Sequence, residues 1–202
     1  ERAEASAEHA LNEVRKIARQ HGAIEVENSI PKIIRANPFG PVNNMMGPGG
    51  ERWVPVHGLL ALSQAIPATE AVLGIFAKHQ KLIDKHSIQT GFLYNSIATN
   101  CIAVEPLFFW PDAVDEIQKT SVDAEFYRRV PKLEENLDAR AAVALIRQEI
   151  ADYFSKSGAV HLQIGKSYHY ATALKPESLT LVRAIKDAVD PTGRINPGVL
   201  GL

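Results

Sequence analysis

The chain has 202 residues, which is enough for one large domain or two small ones with a real hydrophobic core. Its composition, with 46% hydrophobic and 22% charged residues, is that of an ordinary globular protein. The net charge is −1 and the Lys and Arg residues are scattered, so nucleic acid and anionic membrane surfaces are not expected partners.

Two further features bear on location. No apolar run approaches the roughly 18 residues of a membrane-spanning helix, and no secretory signal pattern is visible. The single Cys101 excludes a disulfide framework or a cysteine metal cluster within the chain, which favours a reducing, cytoplasmic location. The sequence begins at Glu1 inside a helical pattern, so we expect it to be part of a longer polypeptide.

The first quarter of the chain predicts a helix, a short strand and a long loop. Apolar residues recur at helical spacing over residues 2–20, and His21-Gly22 ends the pattern. Residues 23–29 predict a strand, and the Pro- and Gly-rich stretch 31–51 predicts a loop. The loop contains large apolar side chains that solvated linkers rarely carry, so we expect it to be ordered.

The middle of the chain predicts most of a sheet. Residues 53–62 predict a strand, and a helix begins at Pro67. Residues 88–97 and 100–110 predict two strands joined by a tight turn. Strands joined in this way cannot be parallel, so we expect an α+β fold with a largely antiparallel sheet and helices packed on it.

The last third predicts mainly helices. Residues 112–130 give a mixed pattern, whereas residues 138–154 predict a helix. The alternation over residues 160–164 predicts a closing strand, and Pro176 opens a final helix. The Asp-Pro-Thr-Gly sequence that begins at Asp190 ends this helix in a turn, because proline lacks an amide hydrogen and glycine tolerates positive φ.

Titratable and aromatic residues follow the predicted closing strand: Lys166, Tyr168, His169 and Tyr170. A tyrosine beside a cation can bind a phenolate or a carboxylate, or relay a proton. The alternative is that these amphipathic side chains only cover a sheet edge. Glu105 presents a similar choice, since its carboxyl has a raised pKa if it is buried and is merely solubilising if it is not.

The histidines and tryptophans also allow two interpretations. His57, His161 and His169 lack the spacing of metal ligands, so we predict no metal site and favour hydrogen-bonded structural roles. The segments around Trp53 and Trp110 concentrate aromatic side chains, which would either wall a pocket for a flat organic substrate or belong to the sheet core.

A family resemblance lies in the tail, where residues 181–198 contain the elements Asp190-Pro-Thr-Gly and Asn196-Pro-Gly. This tail resembles the C-terminal signature of FAD-linked oxidases of the vanillyl-alcohol oxidase and p-cresol methylhydroxylase superfamily, which includes D-lactate and glycolate dehydrogenases. The segment Trp53-Val-Pro-Val-His57-Gly58 resembles a cap-domain strand of the same proteins.

The resemblance implies a ferredoxin-like cap domain that covers the flavin of a longer enzyme. Residues 1–135 would form the substrate-binding α+β part, and residues 136–202 a C-terminal helical segment with the closing strand and the tail. The FAD would be bound mainly by an N-terminal domain that this chain lacks, so the fragment alone would be inactive.

The resemblance also implies site residues. Where the hydroxy-acid branch has Glu-His-Gly-Ile-Gly, this chain has residues 161–165, with Leu162 at the histidine position. The phenol-oxidising branch has a Tyr-Arg pair for which Tyr168 and Lys166 are chemical analogues. The predicted residues are Tyr168, Lys166 and His161 for catalysis, His57, Trp53, Glu105 and Tyr170 for substrate, and Asn196 and Gly165 for the cofactor.

Two functions are consistent with these features. In the first, the chain is the substrate cap of an FAD-dependent oxidoreductase that oxidises a small alcohol, phenol or 2-hydroxy acid by hydride transfer to flavin. In the second, it is a non-catalytic α+β module for protein binding or dimerisation through its strand edges and aromatic segments. The expected partners are a small-molecule substrate, the missing FAD-binding domain and a second copy in a homodimer.

Overall fold

The computed structural model describes residues 2–163 and 165–202, so Glu1 and Ile164 lie outside the described residues. It divides into two compact units, one that ends at Pro41 and one that comprises Val42–Leu202. None of the helices in the described residues is both long enough and apolar enough to cross a membrane.

The first unit contains the predicted N-terminal helix, α1, over Arg2–Gln20. A second helix, α2, over Ile30–Ala36 occupies part of the predicted loop. The predicted strand over residues 23–29 is wrong, because this segment is exposed and pairs with no strand among the described residues. Glu25 instead forms ion pairs with two arginines of α1, and that contact replaces a strand ladder.

The second unit is built on a four-stranded antiparallel sheet, which confirms the predicted α+β class. The strands are β1 (Arg52–Pro55), β2 (Gly58–Ala61), β3 (Gln89–Ile97) and β4 (Cys101–Trp110). The central strand is β4, with β1 and β2 on one side and β3 on the other. The two strands joined by a tight turn were therefore predicted correctly.

The strand predicted over residues 53–62 is in fact two strands with a break at Val56 and His57. Each half pairs with a different part of β4, so the break lies opposite Glu105 and Pro106. The Val56 N–H still donates to the Pro106 carbonyl at 2.9 Å. The N–H and C=O groups of His57 point away from β4, as those of Leu59 do, so they are available for contacts at the outer edge of the sheet.

Helices pack on one face of this sheet. The helices predicted from Pro67, over 138–154 and from Pro176 are confirmed. Short 3₁₀ turns occur at Asn43–Met45, Leu62–Gln64 and Val199–Gly201. The helices of this unit are α3 (Ala65–Lys78), α4 (Gln80–Lys85), α5 (Glu116–Ser121), α6 (Ala124–Arg129), α7 (Leu137–Lys156), α8 (Tyr170–Ala173) and α9 (Pro176–Val189).

The main core lies between the sheet and α3 and α7. Val104 and Phe108 of β4, Val72 of α3, and Ile146 and Phe154 of α7 are completely buried in it. The core therefore contains residues on both sides of position 135, where the predicted boundary between a substrate-binding part and a C-terminal part lies. The division of the chain at residue 135 into a substrate-binding part and a C-terminal part therefore stays a prediction.

The closing strand predicted over residues 160–164 is wrong for its described part. Val160 makes a single antiparallel bridge with Leu59, with N···O distances of 2.8 and 3.1 Å, and the chain then leaves the sheet. The reason is that the Leu162 N–H donates to the His57 imidazole instead of continuing a ladder. Ile164, the last residue of the prediction, lies outside the described residues.

The tail forms the predicted turn after α9. Asp190 is buried, and its carboxylate accepts hydrogen bonds from the backbone N–H groups of Arg194 and Ile195 and from Lys186. Gly193 has a φ of 63°, a conformation that glycine adopts without a steric penalty. The lysine and these two backbone donors lower the pKa of the Asp190 carboxyl.

A buried carboxylate connects the end of β4 to the start of α7. Asp112 has no exposed surface and accepts two hydrogen bonds from Arg140, at 2.6 and 2.9 Å. It also accepts from the Trp110 indole and from the Asn136 backbone. Burial by itself would raise the pKa of Asp112, but these four hydrogen bonds outweigh burial and lower the pKa.

We expect Asp112→Ala to lower the free energy of unfolding by at least about 2 kcal/mol, because it leaves the buried Trp110 and Asn136 donors and the Arg140 charge without their acceptor. Urea unfolding measures this change. The matched control is Asp187→Ala on the exposed side of α9, which should change stability by no more than about 0.5 kcal/mol. Equal effects of the two substitutions would contradict the role given to Asp112.

Candidate functional site

His57 is the centre of a buried hydrogen-bonded cluster. It lies at the break between β1 and β2 and is only 3% exposed. Its Nε2 is 2.8 Å from the Leu162 backbone nitrogen, and its Nδ1 is 2.9 Å from the Tyr168 hydroxyl oxygen. Because a backbone N–H can only donate, Nε2 is the acceptor and the proton of the neutral ring is on Nδ1.

This tautomer determines what the Tyr168 hydroxyl does. The Tyr168 oxygen accepts from His57 Nδ1–H and also from the His57 backbone N–H, at 3.2 Å. Two accepted hydrogen bonds use both lone pairs of the hydroxyl oxygen. The hydroxyl proton of Tyr168 is therefore not used by His57, so the hydroxyl can donate to another group.

The third member of the cluster is His161. Its Nδ1 is 2.7 Å from the His57 carbonyl oxygen, which can only accept, so Nδ1 carries the proton and Nε2 has a lone pair. The His161 ring stacks on the Tyr168 ring with 4.1 Å between centroids and 25° between planes. Backbone and ring contacts thus hold this imidazole in one tautomer and one orientation.

The surroundings keep both imidazoles neutral. Burial, together with the nearby His161 and Arg147, lowers the pKa of His57 from 6.5 to about 4. Burial also lowers the pKa of His161, although its hydrogen bond to the His57 carbonyl opposes this effect. At neutral pH, Nε2 of His161 is therefore an unprotonated nitrogen that can accept a proton.

Tyr168 is kept in its protonated form. Burial raises the pKa of its hydroxyl above the ordinary value of 10. The hydrogen bond from the His57 backbone and the charge of Arg147 oppose burial, whereas the nearby Glu105 carboxylate acts in the same direction as burial. Tyr168 therefore suits hydrogen-bond donation to an anionic oxygen better than it suits proton abstraction.

Arg147 of α7 is a site residue that was not predicted from the sequence. Its Nε donates to the Pro55 carbonyl at 2.9 Å, and its Nη1 is 3.5 Å from the Ser167 hydroxyl. These contacts place a guanidinium between the end of β1 and the segment that carries Tyr168. The sequence signal for this residue was an arginine that directly follows Ile146, within a helix that buries Ile146 and Ile150.

A cavity of about 200 Å³ adjoins the cluster. Tyr170, predicted to contact substrate, lines it. His169 also lines it, and its Nε2–H donates to Asp152 of α7 at 2.8 Å. The other lining residues include Val160, His161, Gln163, Tyr168 and Leu174. The cavity has the size for a small molecule and a largely apolar and aromatic wall.

Lys166, predicted to be catalytic, makes no hydrogen bond with this cluster in the part of the chain that the structure describes. It is exposed, and a Cβ placed on Gly198 would lie 4.0 Å from its Nζ, so its ammonium group is beside the C-terminal tail. Together with Tyr168, Tyr170 and Arg183 it lines a second cavity of about 340 Å³. Arg147, in contrast, contacts Ser167 next to Tyr168.

Trp53 and Glu105, predicted to bind substrate, lie on the sheet face opposite the main helical core. Val54 and Val104 belong to that core, so their strand neighbours point to the other face. Trp53 pairs with Phe109, and Glu105 is flanked by apolar residues of the same strand. Burial raises the pKa of the Glu105 carboxyl, which makes it easier to protonate than a solvated glutamate.

Gly165 and Asn196, predicted to bind the cofactor, lie in the loop and the tail that contact each other. The Gly165 carbonyl accepts from the Leu200 N–H at 2.8 Å, and the Asn196 carbonyl accepts from Val199 at 3.1 Å. A Cβ on Gly165 would have no atom within 4 Å, so this glycine is not required for a close contact in this structure. Asn196 is exposed, with a φ of 47°.

FAD is the cofactor that the family resemblance implies, and the described residues fit only one part of it. The nucleotide part needs several backbone N–H donors at a glycine-rich loop, and the sequence contains no such loop. The flat ring system could contact the exposed apolar side chains of Val160 and Leu162, which adjoin His161. The described residues therefore fit the ring side of a flavin and not its diphosphate.

Within residues 2–163 and 165–202, no group of three or more His, Cys, Asp or Glu side chains is arranged to hold a metal ion. In comparisons with known proteins, no family model, no curated protein and no solved structure matched this chain. The chemistry of the cluster must therefore be argued from its own geometry.

The low pKa of His57 predicts how stability depends on pH. Because the folded-state pKa of about 4 lies below the ordinary value of 6.5, the unfolded state binds the proton first as the pH falls. The neutral His57 therefore contributes about 3 kcal/mol to the free energy of unfolding, which is fully present above pH 6.5 and is lost progressively between pH 6.5 and pH 4. Urea unfolding across this range measures it.

The control is His57→Asn, whose amide can still donate near the Nδ1 position but does not titrate. This variant is expected to be less stable at neutral pH and to show a shallower fall in stability toward acid than the wild type. Parallel pH profiles for the two proteins would contradict a neutral buried His57.

Proposed function

We propose that this chain is the substrate-side cap of an FAD-dependent oxidoreductase that oxidises a small alcohol, phenol or 2-hydroxy acid by hydride transfer to flavin. The observation that supports it is the set of hydrogen bonds around His57, which determines the tautomers of His57 and His161. These hydrogen bonds leave an unprotonated nitrogen on His161 and a donor hydroxyl on Tyr168, and both residues line the cavity of about 200 Å³.

These two groups suit the oxidation of a hydroxyl-bearing carbon. Such a reaction removes a hydride from carbon and a proton from oxygen, and a bound flavin supplies the hydride acceptor. His161 Nε2 accepts the hydroxyl proton, since the Nδ1–H bond to the His57 carbonyl stabilises the imidazolium that forms. The stacked Tyr168 ring keeps the His161 imidazole in place during this transfer.

Arg147 and Tyr168 suit a substrate that carries or develops negative charge. A guanidinium binds carboxylates and phenolates through charge-assisted hydrogen bonds, and a protonated phenol adds a further donor. The Arg147 guanidinium lies 3.5 Å from the hydroxyl of Ser167, and its charge acts on the neighbouring Tyr168 hydroxyl. Their arrangement favours a 2-hydroxy acid or a phenol over an uncharged aliphatic alcohol.

The assignment of the base predicts the effect of His161→Asn, which keeps a donor for the His57 carbonyl and removes the accepting nitrogen. In the complete flavoenzyme, we expect the rate of flavin reduction by substrate to fall by on the order of 10² to 10⁴. Stopped-flow absorbance of the flavin measures this rate. The wild-type rate should also fall as the pH drops through a value below 6.5, and the variant should lack this step.

Three further variants separate the roles of the cluster. Tyr168→Phe should slow flavin reduction while the bound flavin content is unchanged, whereas Lys166→Met should have a smaller effect because Lys166 is exposed. His21→Gln, in the other compact unit, is the control and should have no effect. An unchanged rate in both His161→Asn and Tyr168→Phe would remove the cluster from the reaction.

The location of the cofactor gives an independent test. Because the chain lacks a phosphate-binding loop, we expect the isolated 202 residues to purify without stoichiometric flavin and to show no turnover. The absorbance spectrum of the purified chain measures bound flavin directly. A yellow protein with one flavin per chain would contradict the proposal that another segment holds the FAD.

A second candidate function is the protein-binding or dimerisation module. The observation that favours it is the outer edge of β3, with which no strand pairs among the described residues. It does not compete with the first function, because β4 separates this edge from the edge at which His57 lies.

A further inference from the structure

We propose that the outer edge of β3 is a self-association surface, on which β3 of a second copy pairs antiparallel to form one continuous sheet. This inference is independent of the proposed oxidoreductase activity, because it rests on strand pairing alone. It depends on three properties of β3: an open edge, an uncharged sequence and a self-complementary register.

The edge of β3 is open within the unit Val42–Leu202. All nine residues of Gln89–Ile97 pair with β4 on one side, and among the described residues no strand pairs on the other. Leu93 is 45% exposed and Tyr94 is 44% exposed, although both lie in mid-strand. The outward backbone N–H and C=O groups of β3 are therefore available to another strand.

The sequence of β3 lacks every device that usually protects an edge strand. The nine residues, Gln-Thr-Gly-Phe-Leu-Tyr-Asn-Ser-Ile, include no Asp, Glu, Lys, Arg or Pro. The register with β4 runs from Gln89 to Ile97 without a bulge. A long, regular and uncharged edge of this kind is a template for pairing with another strand.

The opposite edge of the same sheet is closed by the chain itself. Val160 bridges Leu59 of β2, and Arg147 binds the Pro55 carbonyl of β1. Pro55 also lacks a backbone donor there. The contrast shows that the edge formed by β1 and β2 is blocked against pairing, whereas the β3 edge, within this unit, is left available.

The most suitable occupant of this edge is a second copy of β3. When two copies pair antiparallel over all nine residues, Leu93 lies opposite its own copy on the two-fold axis, and Phe92 lies opposite Tyr94. These two rings already stack within one chain, at 5.7 Å, and the pairing would extend the aromatic row. No charge on either strand opposes the contact.

The register offers a sharp test, because it places Thr90 of one copy opposite Ser96 of the other, twice by symmetry. Both side chains are exposed and lie about 20 Å apart within one chain, so they do not interact there. The double variant Thr90→Lys with Ser96→Lys creates two like-charged pairs in the dimer. The matched double variant Thr90→Lys with Ser96→Glu creates two opposite-charged pairs at the same positions.

The oligomeric state of the full chain is measured by sedimentation equilibrium over a concentration series up to about 1 mM, which detects even weak association. We expect the wild type to dimerise and the Lys/Lys variant to dimerise roughly tenfold or more weakly. The Lys/Glu variant should dimerise at least as well as the wild type. Circular dichroism shows whether each variant is folded.

A third variant, Thr90→Glu with Ser96→Glu, repeats the repulsion with the opposite sign and replaces the Lys/Lys variant if that protein does not fold. Mixing the Lys/Lys and Glu/Glu variants should restore a dimer made of one chain of each. A wild-type chain that stays monomeric across the series overturns the proposal. Equal association of the Lys/Lys and Lys/Glu variants also overturns it, because it excludes this register.

Discussion

The structure around the candidate site depends on the complete hydrogen bonding of one buried residue, His57. Its backbone N–H and Nδ1 contact Tyr168, its carbonyl oxygen binds His161, and its Nε2 accepts from Leu162. A buried polar group without a partner is destabilising, so each of these contacts constrains the segment that provides it. His161, Leu162 and Tyr168 are therefore held by the side chain and the backbone of one residue rather than by a strand ladder.

The position of His57 at the outer edge of the sheet is what makes this arrangement available. Successive residues of an antiparallel strand direct their N–H and C=O groups alternately to the two sides, and Leu59 directs both of its groups away from β4, to Val160. His57 lies two residues before Leu59 and directs its N–H and C=O groups to the same side, where they contact Tyr168 and His161. The Pro55 carbonyl also faces this edge and accepts from Arg147 of α7, and this contact places the cation near Tyr168.

The elements that periodicity predicted are those whose stability comes from a regular face. The helices α1, α7 and α9, and the strands β3 and β4, repeat apolar residues at helical or alternating spacing, and all were predicted. The contacts of the His57 side chain and the course of the chain after Val160 depend instead on partners 105 and 111 residues apart in the sequence, which no local pattern encodes. Tyr168, His161 and His57 could be named from residue type, but Arg147 could not, because its role follows from the packing of α7.

The candidate site lies at one edge of the sheet and the surface proposed for self-association lies at the other, with β4 between them. Leu93 at the centre of β3 lies opposite Glu105 on β4, and Glu105 is the strand neighbour of Pro106 at the break beside His57. Directly opposite residues of an antiparallel pair share one face, so a two-fold axis at Leu93 would put the Glu105 side chains of both copies on the same side of one sheet. Three strand spacings, about 15 Å, would separate the two β4 strands. Two copies paired in this way would therefore carry Trp53 and Glu105 of both chains on one continuous sheet face.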